Sequence, residues 1–374
     1  MCGIAGYVGR GDQTVLKKMT DVIAHRGPDD DGFFMAPAVG LGMRRLSIID
    51  VSGGHQPIFN EDRTVAVVFN GEIYNFRELR EELQRAGHVF TTQSDTEVIA
   101  HGYEVHGAEI FSRLNGMFAV ALWDVRRQQL VLARDRFGKK PLYWGVWRDT
   151  VVFGSEPKAL LQHPAVPREL DWPSFALFLI HEYVPTPRSI YAGMHKLSEG
   201  CVLTYRPGQP PTVQRYWTLP RRVEHHPMRE VLPRLDALLA DAVKRRLVAD
   251  VPLGVLLSGG IDSSTVAYYA QAASNRPVKT FSIGFSELSY DESSYARRVA
   301  QHLHTDHHEE SLRPQQALEL IPQLGDLLDE PLADASILPT YLLSRFTRTQ
   351  VTVALGGDGS AELFFGYPTF QAEQ

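Results

Sequence analysis

The pattern of the chain changes once, near Tyr205, and that change dictates a fold in two parts. Before it, short strand-like runs recur: Val65-Ala66-Val67-Val68-Phe69, Met117 to Trp123, Leu130-Val131-Leu132-Ala133 and Val151-Val152-Phe153. Gly, Asn and Asp punctuate them, as turns separate strands. Helical spacing is confined to stretches such as Phe76 to Ala86 and Thr96 to His106, so this half reads as sheets with helices on their faces. Arg206-Pro207-Gly208-Gln209-Pro210-Pro211 is linker chemistry, and the polar stretch from Arg221 to Pro227 extends it. Beyond Arg229, Leu232, Leu235, Leu239, Ala242 and Leu247 mark a helix. Strand and helix then alternate: strand Val255-Leu256-Leu257, helix Ser264 to Ala273, strand Thr280 to Phe285, helix Tyr295 to His302, strand Val351 to Leu355. Such alternation calls for parallel pairing through crossover helices. The expected boundaries are a first domain at 2–205, a linker at 206–228 and an α/β domain at 229–374.

Charge and composition remove several classes of function. The net charge of −6 and the scattered Lys and Arg give nucleic acid no footprint; Lys244-Arg245-Arg246 falls on a helical pattern as a solvated face. No apolar run approaches a membrane span, and Phe175-Ala176-Leu177-Phe178-Leu179-Ile180 is core-helix material. The N-terminus lacks the basic and apolar regions of a signal peptide. Two cysteines, Cys2 and Cys201, can form at most one bridge, so a reducing, cytoplasmic setting is expected. Cys201 sits in a strand beside Val202 and Leu203 and is given no role.

Cys2 carries the most chemistry. Removal of Met1 would leave it a free α-amine, whose pKa of about 8 lets it act as base toward its own thiol. Position alone is weak, because a free Cys is often an inert small hydrophobe. In the second half, Ser258-Gly259-Gly260-Ile261-Asp262-Ser263-Ser264 joins a buried strand to a helix. Glycines let such a loop wrap a phosphate, and the helix N-terminus favours negative charge. It has no Gly-Lys-Ser/Thr ending and is not a Walker loop.

Several segments, taken in order and spacing, resemble class II glutamine amidotransferases of the asparagine synthetase type. They are Cys2-Gly3-Ile4-Ala5-Gly6, His25-Arg26-Gly27-Pro28-Asp29, Arg45-Leu46-Ser47-Ile48-Ile49-Asp50, Asn70-Gly71-Glu72-Ile73-Tyr74-Asn75 and Ser94-Asp95-Thr96-Glu97. Asn115 to Ala119, Arg134 to Gly138 and Lys140 to Tyr143 continue the match. The 258–264 loop resembles the pyrophosphate loop of ATP pyrophosphatases, and Leu355 to Tyr367 resembles their second ATP loop. The resemblance implies an N-terminal nucleophile hydrolase αββα sandwich, followed by an incomplete parallel-sheet ATP-pyrophosphatase-like α/β domain.

It also implies roles. Cys2 is the nucleophile, with Asn70 and Gly71 as the oxyanion hole. Glutamine is held by Arg45, Leu46, Ser47, Ile48, Ile49, Asn70, Gly71, Glu72 and Asp95: Arg45 can fork onto its carboxylate, and Glu72 and Asp95 can take its ammonium. Taken singly, Arg45 would read as a surface ion pair, Asp95 as a helix N-cap and Asn70-Gly71 as a hairpin turn. ATP would meet Leu256, Ser258, Gly259, Gly260, Asp262, Ser263, Ser264, Ile283, Gly356 and Gly357, with Asp358 serving adenylate formation and Asp262 holding Mg²⁺. Ammonia from glutamine would amidate an adenylated carboxylate, aspartate first, giving AMP and pyrophosphate. Homodimer is the implied assembly.

Two departures stand out. The family usually carries Asp where this chain has Ala361, which removes one Mg²⁺ ligand. The family also continues well past the second loop, through a lysine needed for adenylation, so the chain is expected to be a truncated form. Two other readings follow: an amidotransferase for another carboxylate in polysaccharide or secondary metabolism, or a glutaminase-only or non-catalytic glutamine- and nucleotide-binding protein.

Overall fold

The computed structural model describes residues 1–221, 224–285, 292–367 and 370; Arg222 and Val223 of the expected linker lie outside them. The chain divides into two compact units, Met1–Arg221 with Asp326–Ala333, and Arg222–Gly325 with Asp334–Gln374.

Unit 1 contains two six-stranded antiparallel sheets. One has the order β10-β8-β9-β1-β3-β2, built from β1 (Gly3–Val8), β2 (Asp30–Ala36), β3 (Val39–Arg45), β8 (Tyr143–Trp147), β9 (Thr150–Gly154) and β10 (Met194–Lys196). The other has the order β12-β11-β7-β6-β5-β4, built from β4 (Ile58–Phe59), β5 (Val65–Ile73), β6 (Gly116–Asp124), β7 (Gln129–Arg134), β11 (Cys201–Tyr205) and β12 (Thr212–Arg215). Alternation along the strands decides which residues lie between the sheets. Ile4 and Val8 of β1, Val39, Leu41 and Met43 of β3, Ala66 and Val68 of β5, and Ala119, Ala121 and Trp123 of β6 form a single buried cluster.

The opposite faces take helices. Ala5 and Tyr7 pack against Leu16 and Met19 of helix α1 (Gln13–Asp21), whose first turn is capped by the Asp12 carboxylate accepting from Val15 N. The approach is close: a Cβ on Gly42 of β3 would lie 2.7 Å from Thr20 Cγ2. On the second sheet, α3 (Glu97–His106) packs on β5, and α2 (Phe76–Arg85), which buries Phe76, Leu79 and Leu83, packs against α3. The result is a helix–sheet–sheet–helix sandwich, the arrangement expected for an N-terminal nucleophile hydrolase.

Unit 2 holds a parallel sheet of order β15-β14-β13-β16, from β13 (Leu253–Leu256), β14 (Lys279–Phe285), β15 (Asp306–Leu312) and β16 (Val353–Leu355). Val255 and Leu257 pack with Ala267 and Ala270 of the helix Ile261–Ala272 and Ala296 and Ala300 of the helix Ser293–Leu303. The other face meets the helix Ile337–Arg348, through Ile283 with Leu342 and Phe281 with Phe346. The helix expected from Ser264 starts earlier, at Ile261, because Gly260 takes the extended N-cap conformation and Asp262 suits the first turn. Among the described residues, no helix is long and apolar enough to cross a membrane.

Candidate active sites

The alternation that fills the space between the sheets of unit 1 also delivers its chemistry there. Cys2 continues the inward parity of Ile4 and packs on the same cluster. Arg45 continues that of Val39, Leu41 and Met43, and the register Gly3↔Arg44 extends by one to set Cys2 beside it. Asn70 and Glu72 continue that of Ala66 and Val68 from the facing sheet. One end of the interlayer is thus lined by a thiol, a guanidinium, a carboxamide and a carboxylate. Arg45, Asn70 and Glu72 are all buried.

Asn70 is the most telling of the four. It is 1% exposed, and neither its Nδ2 nor its Oδ1 has a hydrogen-bond partner. Native structures rarely leave a buried amide orphaned, so this group calls for a partner from outside the chain, a substrate atom or a water. Gly71 supplies a second donor by strand geometry. Phe118, its partner across β5 and β6, turns its own N–H and C=O to Asp135 on the far side. By antiparallel alternation, Gly71 N–H then points to the outer edge of β5, with those of Phe69 and Ile73. Phe69 N donates to Gln56 Oε1 at 2.7 Å and Ile73 N to Asp95 Oδ2 at 2.8 Å. Gly71 N–H lies between them, beyond the stretch that β4 pairs. A side chain cannot fit at Gly71, where a Cβ would sit 2.1 Å from Met117 O. The pair is therefore set inside a paired strand and forms no hairpin turn.

The thiol of Cys2 is held by main chain. Leu46 N lies 3.4 Å from its Sγ, and the carbonyl of Cys2 accepts from Arg26 Nε at 2.9 Å. Burial pushes the thiol pKa up, against the pull of the Leu46 contact, the chain N-terminus, Arg45 and Lys140. Such a thiol needs a base before it can attack. Arg45 differs from the simple expectation. Three of its five N–H groups go to carbonyls of the following turn: Ile49 at 3.1 Å, Asp50 at 2.7 Å and Val51 at 3.2 Å. It anchors the segment Leu46–Asp50 as much as it offers charge. In that segment Ser47 N donates to Asp29 Oδ2 at 2.9 Å, while Ile48 is half-buried. Asp95 is no helix cap by its side chain: it is buried, accepts Ile73 N, and has its pKa raised to about 6 by desolvation.

Reading the sequence missed three residues here. Arg26 bridges Cys2 O to Glu156, with Nη1 donating to Oε1 at 2.7 Å. Burial works against the charge on Glu156, but the bonds from His25 and Arg26 outweigh it and hold its pKa near 2. Lys140 is buried, with Glu72 and Cys2 among the charges it feels. Arg26 and Lys140 sit inside recognised segments and could have been marked; Glu156 carries no local signal.

In unit 2, the two loops after β13 and β16 meet in a cleft of about 640 Å³. Leu256, Ser258, Gly260, Asp262, Ser263, Ile283, Gly356, Gly357 and Asp358 line it; Gly259 and Ser264 do not. Gly259, at φ +88°, backs onto Tyr295 and Ala296, and Ser264 faces the other side of its helix. The loops touch so closely that a Cβ on Gly357 would lie 2.9 Å from both Asp262 Cβ and Ser263 N. Ser258 and Ser263 hydroxyls lie 3.0 Å apart and brace the turn. Asp262 and Asp358 bring hard oxygen donors to this glycine cradle, which fits a phosphate chain and Mg²⁺. Ala361 lines the cleft without a ligand atom, and Glu362 accepts Tyr367 OH at 3.0 Å. Ser282, Thr340 and Leu343 are lining residues the sequence did not single out.

Residues 1–217 match the glutamine amidotransferase domain and residues 234–374 match asparagine synthase. The chain is 37% identical over 380 residues to a glutamine-hydrolyzing asparagine synthetase of Bacillus subtilis (strain 168), covering 99% of this chain and 60% of that protein. It is 35% identical over 388 residues to a putative asparagine synthetase of Mycobacterium bovis, covering 99% and 59%. It is 35% identical over 395 residues to a putative asparagine synthetase of Methanocaldococcus jannaschii, covering 99% and 76%. The chain spans about 60% of the length of the first two relatives.

Proposed function

The chain belongs to the glutamine-hydrolysing asparagine synthetase family, and on that premise we propose that unit 1 releases ammonia from glutamine and unit 2 contributes to its transfer onto an activated carboxylate. The observation that carries the reading is the orphaned Asn70 amide, on the same interlayer face as Cys2.

In this reading the thiol of Cys2 attacks the carboxamide carbon of glutamine, its proton passing to the α-amine that loss of Met1 exposes. The oxygen becomes an oxyanion, accepting from Asn70 Nδ2 and Gly71 N–H. Ammonia leaves with the proton, and water hydrolyses the thioester to glutamate. Arg45 meets the substrate carboxylate with the N–H groups its own turn does not use. Asp95, with Glu72, faces the substrate ammonium; a pKa of about 6 keeps Asp95 mostly ionised at neutral pH. Arg26 holds the Cys2 carbonyl and so fixes the nucleophile's main chain.

The acceptor is a carboxylate, aspartate first, with ATP as co-substrate in the cleft of unit 2. Gly260, Gly356 and Gly357 give the phosphates close main-chain approach, and Asp262 and Asp358 supply carboxylates. Mg²⁺ bound there would neutralise phosphate charge and favour departure of pyrophosphate. A second reading, nucleotide binding without AMP formation, is favoured by Ala361, which leaves the cleft one carboxylate short.

The test is glutamate release by the purified chain, with AMP followed after adding ATP, Mg²⁺ and aspartate. Cys2→Ala should abolish glutamate release and leave ATP binding unchanged; retained hydrolysis would remove Cys2 from its role. Glutamate without AMP would favour the second reading for unit 2.

A further inference from the structure

On the outer side of unit 1, four potential ligand side chains converge from three places in the sequence. Glu61 follows β4, His88 follows α2, and His101 and Glu104 lie one turn apart on α3. One ligand atom from each lies within 4.8 Å of all the others. Glu61 Oε2 is 3.2 Å from His101 Nδ1, Glu61 Oε1 is 3.1 Å from His88 Nδ1, and Glu104 Oε2 is 3.8 Å from His88 Nδ1. A tetrahedral ion with bonds of about 2.0–2.2 Å sets its ligand atoms roughly 3.4 Å apart, so the closer pairs already have that spacing.

His101 gives the independent reason to place a ligand here. Its side chain is 1% exposed, and its Nδ1, 3.2 Å from Glu61 Oε2, makes no hydrogen bond. The other ring nitrogen, Nε2, lies 3.4 Å from Glu97 Oε1. Glu97 cannot turn away. Its Oε1 accepts from Thr91 N and Oγ1 and its Oε2 from Thr92 N and Oγ1, at 2.7–3.1 Å. This fixed acceptor holds the Nε2–H tautomer and leaves the Nδ1 lone pair against a carboxylate oxygen. Two acceptors at that distance repel unless a cation sits between them. An imidazole with one nitrogen on an outer carboxylate and the other facing the ion is the usual way a protein orients a histidine ligand. Further bonds aim the carboxylates: Val89 N donates to Glu61 Oε1 at 2.9 Å and Asn60 Nδ2 to Glu104 Oε2 at 3.2 Å.

We propose that Glu61, His88, His101 and Glu104 form a structural site for a divalent transition metal, Zn²⁺ being the ion that two imidazoles and two carboxylates suit best. The ion would tie the loop after β4 and the end of α2 to α3. Through Glu97 it would also steady Thr91–Asp95, the segment that ends at Asp95. The competing occupant is a proton on Nδ1.

The experiment is Zn²⁺ titration of the chelator-stripped full chain in a Cys2→Ala background, so that the thiol contributes nothing. Expected are one saturable Zn²⁺ per chain, a rise in Tm on binding, and a tetrahedral visible spectrum with Co²⁺. His88→Gln and Glu104→Gln alter partly exposed residues and should each weaken Zn²⁺ at least tenfold while the stripped proteins still melt cooperatively. Absence of saturable Zn²⁺ binding would overturn the site and leave the proton. Zn²⁺ binding equally tight in both variants would overturn it too, by placing the ion elsewhere.

Discussion

Replacing Asn70 by leucine should slow glutamine hydrolysis and, in the same protein, stabilise unit 1. The two effects share one cause. The carboxamide is 1% exposed and no protein group bonds either polar atom, so nothing within the chain offsets its desolvation. Leaving a buried polar group unsatisfied costs about 1–3 kcal/mol. Leucine matches asparagine in shape and removes that cost without opening a cavity. For a unit of this size, each kcal/mol moves Tm by about 2–4 °C, so a rise of roughly 2–12 °C is expected. Loss of one oxyanion donor lowers kcat about 10²–10³-fold, or about 2.7–4 kcal/mol of transition-state stabilisation. KM for glutamine should change little, because the ground-state carboxamide is not the charge the donor serves. Glutamate release and a thermal melt on the same preparation suffice. A kcat within twofold of the parent would remove Asn70 from the oxyanion hole. A fall in Tm would mean that the amide has a protein partner and is not held ready for substrate.

Three further outcomes follow from the same site. Burial raises the Asp95 pKa to about 6 from 3.8, so between those values the folded protein binds the extra proton; this group favours folding most at low pH and loses that contribution as pH rises through 6. Substrate ammonium prefers the carboxylate, so KM for glutamine should climb as pH drops below about 6, and Asp95→Asn should raise KM and flatten the dependence; an unchanged profile in that variant would refute the assignment. Gly71→Ala would drive a Cβ into Met117 O and Phe118 Cα, and should cost about 1–3 kcal/mol in a urea melt; an unaltered midpoint would show that the strand yields there. Ala361→Asp should tighten Mg²⁺-dependent pyrophosphate binding at the cleft, whereas equal binding would mean that residue 361 does not face the metal.

Local sequence exposed the parts of this fold that depend on local forces. Runs such as Val65 to Phe69 gave strands because their apolar residues alternate between the interlayer and the helix-covered face. The loop at 258–264 marked the strand-to-helix turn because glycine and a helix N-terminus leave few alternatives. Cys2 and the segments around Arg45, Asn70 and Asp95 pointed to one site through resemblance, and parity along β1, β3 and β5 explains how strands far apart in sequence bring three of them to one interlayer. What stayed hidden is long-range. Arg45 satisfying the carbonyls of its own turn could not be read from a segment that also fits a ligand-binding arginine. Glu156 reaches Arg26 across 130 residues, and no spacing rule links them. Gly259 and Ser264 lie within the recognised loop yet face away from the cleft, because the positive φ of Gly259 backs it onto Tyr295 and the helix carries Ser264 round to its other side.

The place of β1 in its sheet has a consequence for synthesis. One edge of β1 pairs with β3, which is complete by Arg45; the other pairs Ala5 with Gly154, so it stays open until β9 has been translated. At about 5–20 residues per second, the stretch from Arg45 to Gly154 takes roughly 5–22 s. During it the first residues form an unclosed margin of a partial sheet, within reach of the peptidase that would trim Met1. Closure by β9 reaches only as far out as Ala5 and leaves Met1 55% exposed, so the N-terminal residue stays accessible to trimming after the sheet has closed.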